Sequence, residues 1–259
     1  MTLATTSWGS GEPLALLHGF MGAGSAFDHL RDALGTRFRV IVPDLPGHGR
    51  SAPASSWDHA LADLAETLPP DALFLAGYSM GARLALAFAL RWPQRVRALL
   101  LESGSPGIAG AHERAMRRAE DERLAELALA EGIAAFVARW EDHPTLATLR
   151  ALPAPLAASL RERRLRNSAV GLASALRHLG AGTQPSLWEE LPRLRCPVLL
   201  LAGERDAKFV DVARRMATAM PGARLSLLSS SGHAPHLEAP DQYASALTGF
   251  FTQHGGDRR

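Results

Sequence analysis

The sequence has a single cysteine and no strong excess of positive or negative charge. Its single cysteine, Cys196, excludes a disulfide within the chain, and because it begins an apolar run we expect it to be a small buried core residue. Lys208 is the only lysine, so arginine supplies 27 of the 28 cationic residues. Against 26 acidic residues these give a formal net charge of +2, which is too close to balance to indicate a nucleic-acid partner.

Long hydrophobic runs are missing as well. The apolar runs are far shorter than the ~20 residues that a membrane-spanning helix needs, and residues 1–11 lack the basic and apolar regions of a signal peptide. The sequence contains no pair of histidines with a nearby acidic residue that would indicate a metal site. It also contains no glycine-rich motif that would indicate a dinucleotide-binding site. We therefore expect a cytoplasmic protein without membrane span, metal or cofactor, and leave open whether it is a monomer or a homo-oligomer.

Short apolar runs alternate with helical patterns along most of the chain. Continuous apolar runs are typical of strands that are buried on both faces of a parallel sheet. We predict such strands at 13–17, 38–42, 72–76, 96–101, 198–202 and 224–228. Helical patterns at 79–92, 210–220 and 240–251 end at a proline or begin with one. The alternation predicts an α/β fold with a doubly wound, mostly parallel sheet.

One stretch breaks this alternation. From about residue 105 to 191 no strand is predicted, and patterns rich in Arg, Glu, Ala and Leu indicate helices at 111–131, 133–140, 155–167 and 170–179. We interpret 105–191 as a helical cap that is inserted into an α/β core formed by residues 1–104 and 192–259.

A candidate nucleophile follows the third predicted strand. Gly77-Tyr78-Ser79-Met80-Gly81 fits the pattern G-x-S-x-G and opens a predicted helix. This context favours a serine on a tight strand-to-helix turn, with glycines where a Cβ would collide, over a chance Gly/Ser turn. A second loop, His18-Gly19-Phe20, follows the first strand, so the Phe20 and Met80 N–H groups are candidates for holding an oxyanion or enolate.

An acid and a base follow the last two predicted strands. Asp206 lies just after strand 198–202 and His233 just after strand 224–228, so the chain order is Ser79, Asp206, His233. In this arrangement Asp206 holds the imidazole and His233 takes the serine proton. Glu204 is a rival acid closer to the strand end, and His236 is a rival base that we assign to support of the loop.

The segments that carry these residues resemble the α/β-hydrolase superfamily nearly from end to end. They are Leu17-His18-Gly19-Phe20, Pro43-Asp44-Leu45-Pro46-Gly47-His48-Gly49-Arg50-Ser51, the serine turn, Gly203-Glu204-Arg205-Asp206 and Gly232-His233. The resemblance implies an α/β-hydrolase fold with a cap. These motifs define the fold better than the reaction.

Finer features resemble one family within that superfamily. They are Arg83, one helical turn beyond the serine, and the segments Arg166-Asn167, Gln184-Pro185-Ser186-Leu187-Trp188 and Asp206-Ala207-Lys208-Phe209. Together they are similar to the 2-succinyl-6-hydroxy-2,4-cyclohexadiene-1-carboxylate synthases of menaquinone biosynthesis (MenH). One departure is Ala82, where we expect glycine.

The resemblance implies a lyase that eliminates pyruvate from a small polycarboxylate substrate, with the triad Ser79, Asp206 and His233 acting as a base. It also implies that substrate is bound by Arg83 and, from the cap, by Arg123 and Arg166, with Tyr78 and Trp140 as pocket aromatics. Each arginine has a solvated helix face as its alternative. The nearby competitors are Arg117, Arg118, Arg163 and Arg164.

Two other functions fit the same sequence. A hydrolase of carboxylic esters or C–C bonds would use the same triad through an acyl-enzyme. A catalytically silent ligand receptor is the other alternative, and the intact set of Ser79, Asp206 and His233 argues against it. Arginines that face the pocket favour the lyase, because an ordinary esterase has a largely apolar pocket.

Overall fold

The computed structural model describes residues 1–220 and 222–255, and its centre is a seven-stranded sheet. The strands are β1 (Thr5–Trp8), β2 (Glu12–Leu17), β3 (Phe38–Pro43), β4 (Leu73–Tyr78), β5 (Val96–Glu102), β6 (Val198–Gly203) and β7 (Arg224–Leu228). Their order across the sheet is β1-β3-β2-β4-β5-β6-β7, with β1 antiparallel to β3 and every other pair parallel. The prediction of an α/β fold with a mostly parallel sheet is confirmed, and the six predicted strands are found within two residues.

Helices cover both faces of the sheet and fill the predicted cap. They are α1 (Arg31–Leu34), α2 (Trp57–Thr67), α3 (Met80–Arg91), α4 (Ala111–Glu141), α5 (Ala154–Leu165), α6 (Ala169–Leu179), α7 (Ala207–Ala219), α8 (Pro235–Glu238) and α9 (Pro240–Gln253). No helix in the described ranges is long and apolar enough to cross a bilayer.

The central strands are buried on both faces, which explains their continuous apolar sequence. In β2, Leu14 and Leu16 face a cluster with residues of α9, such as Phe251, while Ala15 and Leu17 face a cluster with residues of α3. Cys196, expected in the core, is only partly buried and packs against the second of these clusters.

Between Glu102 and Val198, a segment that the structure describes completely, there is no strand. Helices α4 and α6 share an apolar cluster that includes Phe136 and Leu172 and also takes in Met21 from the loop after β2. Gly132 interrupts α4 with φ 78° and ψ 173°, which divides it where the sequence pattern predicts two helices. The bounds 105–191 for the cap stay a prediction.

Candidate active site

Ser79 lies on a strained turn between β4 and α3. Its φ of 52° is in the left-handed region, which is costly for a residue with a side chain. A Cβ on Gly77 would collide with the carbonyl of Gly81, and a Cβ on Gly81 with the carbonyl of Leu17, so only glycine allows the turn to be this tight. The Ser79 N–H donates to the Glu102 carbonyl 2.8 Å away. These constraints hold the serine at the carboxyl edge of the sheet, facing a cavity.

The structure brings the three predicted triad residues together. His233 Nε2 lies 3.0 Å from Ser79 Oγ, and His233 Nδ1 lies 2.7 Å from Asp206 Oδ2. The side chains of His233 and Asp206 are nine-tenths buried. With Nδ1–H donating to the carboxylate, Nε2 is free to accept the serine proton, which is the arrangement of a serine base assembly.

The two rival residues have other positions. Glu204 is exposed, whereas His236 is buried and belongs to a second acid–histidine pair. Its Nδ1 lies 2.8 Å from Glu102 Oε1, and its backbone N–H donates to the same oxygen at 3.0 Å. The Tyr78 ring lies between the two histidines, 4.5 Å from the His236 ring and 5.5 Å from the His233 ring, centroid to centroid. His236 is therefore paired with Glu102 and packs against Tyr78, so it supports the site structurally rather than serving as its base. The sequence signal for this pair was an acid, Glu102, directly after the apolar run Ala98–Leu101.

The loop after β2 is held by its own buried histidine. The Leu45 N–H donates to His18 Nε2 at 3.0 Å, so the ring proton is on Nδ1, which donates to the Gly19 carbonyl at 2.8 Å. Burial lowers the pKa of His18 to about 4, so the ring is neutral at pH 7. The Gly19 carbonyl and the Phe20 N–H belong to one planar peptide unit and point in opposite directions. The Phe20 N–H is therefore fixed in direction and has no partner within the described residues.

The cavity above Ser79 has a volume of about 380 Å³ and lies between the core and the cap helices. Of the predicted binding residues, Tyr78, Arg83 and Trp140 line it, together with Phe20, whose ring meets that of Trp140 edge to face at 4.9 Å. Two glutamates contribute acidic groups, whereas the cationic groups come from Arg83, Arg117, Arg163, Arg164, Lys208 and Arg215. The excess of cations favours an anionic ligand.

The structure places Arg123 and Arg166, two of the predicted binding residues, outside the cavity lining. Arg123 is exposed, because it lies two residues from the buried Asp121 and so on the far side of α4. Arg166 ends α5 and forms an ion pair with Glu162 on the exposed face of the helix. The arginines that the cap presents to the cavity are Arg117, Arg163 and Arg164. Arg117, Arg163 and Arg164 are three of the four nearby competitors that the sequence offered for this role.

The cavity arginines differ in their partners. Arg117 Nε donates to Asp121 Oδ1 at 2.8 Å, and Arg164 Nη1 donates to Glu141 Oε1 at 3.1 Å. Arg83 instead donates to the amide oxygen of Gln184 at 3.2 Å. Burial lowers the pKa of Arg83 to about 10, which still leaves it charged at neutral pH. Arg83 therefore brings an uncompensated positive charge close to Ser79.

Ala82, the departure from the family pattern, does not line the cavity. Ala82 is buried, and a Cβ added to Gly104 would lie 2.5 Å from the Cβ of Ala82. The methyl group that a glycine would lack is therefore accommodated by a glycine in the neighbouring loop.

Comparisons with known proteins point to the same family as the resemblance of the site residues. The model of the "Alpha/beta hydrolase family" matches residues 14–246. Proteins named 2-succinyl-6-hydroxy-2,4-cyclohexadiene-1-carboxylate synthase from Serratia proteamaculans and Klebsiella pneumoniae (strain ATCC 700721 / MGH 78578) are 31% and 33% identical to this chain. The alignments cover 93% and 92% of this chain and 94% of each relative. A Bacillus subtilis protein that carries the same name provisionally is 37% identical over 93% of this chain and 90% of its own length.

Solved structures agree. MenH from S. aureus superimposes with a TM-score of 0.93 at 31% identity and covers 99% of this chain and 100% of its own. A thermophilic esterase from Thermogutta terrifontis, with malate bound, has a TM-score of 0.84 at 29% identity and covers 98% and 94%. The chain belongs to the alpha/beta hydrolase family and groups within it with the 2-succinyl-6-hydroxy-2,4-cyclohexadiene-1-carboxylate synthases.

Proposed function

We propose that this protein is the pyruvate-eliminating lyase of menaquinone biosynthesis. Its substrate is 2-succinyl-5-enolpyruvyl-6-hydroxy-3-cyclohexene-1-carboxylate, and its product is 2-succinyl-6-hydroxy-2,4-cyclohexadiene-1-carboxylate. The observation that carries the proposal is a hydrogen-bonded serine–histidine–aspartate set that opens into a cavity in which cationic residues outnumber acidic ones. This pairing of a strong base with anion-binding groups suits a substrate that bears several carboxylates.

The bonds that change define the task of the site. Ring carbon C2, next to the succinyl ketone, loses its proton, and the electron pair of that C–H bond forms a double bond between C2 and C3. The existing ring double bond moves from C3–C4 to C4–C5, and the C5–oxygen bond breaks. The departing enolpyruvate carries the electron pair and takes up a proton to become pyruvate. Water is not needed as a nucleophile.

The triad supplies the base for this elimination. His233 accepts the proton of the Ser79 hydroxyl, and the serine oxygen removes the proton at C2. Asp206 stabilises the imidazolium that forms, because its carboxylate accepts the Nδ1–H bond. The Phe20 and Met80 N–H groups donate to the ketone oxygen as it acquires enolate charge. The fixed Gly19–Phe20 peptide needs no reorganisation in this step.

The cavity cations bind the substrate carboxylates. Arg83, Arg117 and Arg164 surround the site, and a guanidinium matches a carboxylate with two parallel hydrogen bonds. Burial raises the pKa of Tyr78 above its usual value, so its phenol stays protonated and can donate to substrate. Trp140 closes the pocket against Phe20. A cytoplasmic location stays a prediction from the sequence.

The direct test is to incubate the protein with the enolpyruvyl substrate and follow pyruvate by a coupled assay. Release of pyruvate together with the absorbance of the conjugated diene supports the lyase. A matched reaction with Ser79→Ala controls for spontaneous elimination. Absence of pyruvate release above that control would contradict the proposal.

A further inference from the structure

One carboxylate holds the peptides on either side of His233. Glu238 Oε2 accepts the Gly232 N–H at 2.8 Å, and Glu238 Oε1 accepts the Ala234 N–H at 3.0 Å. Within residues 1–220 and 222–255 neither N–H group has another acceptor. Both oxygens of Glu238 are thus bonded to the base loop, which comprises residues 229–234 between β7 and α8.

The short helix α8 brings Glu238 back to this loop. It spans Pro235–Glu238, and the proline at its start suits a first helical turn. A glutamate near the start of a helix can reach back to the N–H of the residue that precedes the helix, which accounts for the bond to Ala234. It does not account for the bond to Gly232, which lies two residues further back, on the other side of the histidine.

The remaining contacts of Gly232 restrain it by packing. On the cap side, a Cβ added to Gly232 would lie 2.2 Å from Thr148 Oγ1. On the opposite strand end, a Cβ added to Gly203 would lie 2.2 Å from the Gly232 carbonyl. Close packing limits how far a peptide can move, whereas hydrogen bonds also define its orientation because they weaken steeply when the angle changes.

The base loop is anchored by backbone hydrogen bonds only before and after these peptides. The Arg205 N–H donates to the Ser231 carbonyl at 2.9 Å, and the Leu237 N–H donates to the Ala234 carbonyl at 2.9 Å. For the N–H groups of residues 232–234, Glu238 is the acceptor that the described part of the chain provides. The orientation of the peptides that carry His233 therefore depends on this side chain.

A small rotation of these peptides would affect both bonds of the imidazole. Its Nε2 lies 3.0 Å from Ser79 Oγ, and its Nδ1 lies 2.7 Å from Asp206 Oδ2. Because the ring is rigid, a movement of its backbone displaces both nitrogen atoms together. A misplacement of about 1 Å in a reacting group can cost about a hundredfold in rate.

We propose that Glu238 is a positioning residue for the base: its carboxylate holds the two peptides beside His233 and so keeps the imidazole in line with Ser79 and Asp206. Glu238 is not among the residues that line the cavity, so it acts through His233 and not on the substrate. The inference rests on the proposed function only in that His233 is the base, and it holds for any substrate.

The first test is the steady-state kinetics of Glu238→Gln. This variant keeps the length of the side chain but places an NH₂ donor opposite one of the two N–H donors. Its kcat should fall about tenfold or more with KM unchanged, because the base is misplaced and the cavity lining is intact. Asp241→Asn, which removes an exposed carboxylate three residues further along, should follow wild type. Wild-type kcat in Glu238→Gln would overturn the proposal.

Glu238→Asp keeps the carboxylate on a side chain that is one methylene shorter. It should give a kcat between those of wild type and Glu238→Gln, since one acceptor bond can still form. This variant carries the test if Glu238→Gln does not fold. Equal kcat values for wild type and Glu238→Asp would show that the carboxylate need not span both peptides, which contradicts the proposal.

Sulfonylation of Ser79 measures the position of the base without the substrate. With phenylmethanesulfonyl fluoride, the serine oxygen bonds to sulfur, fluoride leaves, and His233 takes the serine proton. Mass spectrometry follows the adduct. Glu238→Gln should react to completion, with a rate constant about tenfold lower than wild type. Reaction of only a fraction of the protein at the wild-type rate constant would indicate loss of fold and would overturn the positioning role.

A proton signal gives a further readout that needs no reaction. The proton between His233 Nδ1 and Asp206 should resonate downfield of the amides in the NMR spectrum, and its absence from His233→Ala identifies it. In Glu238→Gln this signal should shift or broaden, while the signal of His236 Nδ1, which lies against Glu102, should not change. An unchanged His233 signal overturns the proposal. Failure of wild type to release pyruvate overturns the proposed function instead, and does not alter the sulfonylation and NMR results.

Discussion

The carboxylate of Asp206 serves both a histidine and a helix. Oδ2 lies 2.7 Å from His233 Nδ1, while Oδ1 accepts the N–H of Phe209 at 3.3 Å and caps the start of α7. The helix thereby orients the acid, and the acid orients the base. The two roles can be separated, because asparagine is as good an N-cap as aspartate but carries no charge.

We predict that Asp206→Asn loses at least about a hundredfold in kcat with little change in melting temperature, because the cap remains and the imidazolium loses its counter-charge. Asp206→Ala should lose the same activity and, in addition, about 1 kcal/mol of unfolding free energy with the cap. Steady-state kinetics and urea denaturation of both variants test this. Retention of activity in Asp206→Asn would remove the carboxylate from the mechanism.

Ser79 supplies the oxygen that removes the substrate proton, and its backbone is strained. Ser79→Ala should reduce pyruvate release at least about a hundredfold, and adding His233→Ala should reduce it little further, because the residues act as a unit. Ser79→Gly should be equally inactive but about 1 kcal/mol more stable than Ser79→Ala, since glycine relieves the φ of 52°. Chemical denaturation of the two variants measures this difference. Equal stabilities would mean that the turn stores no strain.

Two buried histidines make stability depend on pH. Burial lowers the pKa of His18 to about 4 and that of His48 to about 3. Between these values and 6.5 the unfolded chain binds protons that the folded chain does not, so unfolding becomes more favourable as the pH falls through this window. We predict a falling melting temperature from pH 6.5 to 4.

The matched variants are His48→Gln and His59→Gln, which change a buried and an exposed histidine. His48→Gln should reduce the pH dependence of the melting temperature, because one of the histidines whose pKa is lowered in the folded state is gone. His59→Gln should retain the wild-type dependence. If the melting temperature of wild type, His48→Gln and His59→Gln changes equally with pH, groups other than His48 cause the pH dependence.

The arginines give a pattern that distinguishes cavity from surface. Arg83→Ala and Arg164→Ala should each lose about 2–5 kcal/mol of transition-state stabilisation, calculated from kcat/KM, because a substrate carboxylate loses a desolvated partner. Arg123→Ala and Arg166→Ala should stay close to wild type, since both side chains are exposed. Kinetics on the natural substrate check all four. A large loss in Arg123→Ala with full activity in Arg83→Ala would reverse this assignment.

The sequence was most informative where a residue lies in the short segment that follows a strand. Ser79, Asp206 and His233 each lie in the loop or turn after a predicted strand, and parallel strands bring their carboxyl ends to one edge of the sheet, so proximity could be inferred without the structure. Strand β1 was not predicted because Thr5–Trp8 is short, polar and at the sheet edge, with only Trp8 buried.

The cap was less predictable. A helix rich in Arg, Glu and Ala has polar residues on several faces, so its sequence does not show which face covers the cavity. Arg163, Arg164 and Arg166 lie within four residues of one another, yet Arg166 is exposed and the other two are buried. The pairing of His236 with Glu102 depends on tertiary contact between residues far apart in the chain, and no local pattern contains that information.

The measurement that tests the central claim most directly is rapid-quench mass spectrometry during turnover of the enolpyruvyl substrate, run beside a nitrophenyl ester assay. A proton-abstracting lyase forms no bond between Ser79 and the substrate. The account predicts release of pyruvate with the protein mass unchanged throughout, and only weak hydrolysis of the ester by the same oxyanion donors. A substrate-derived acyl group on Ser79, or ester turnover far faster than pyruvate release, would contradict it and establish a hydrolase.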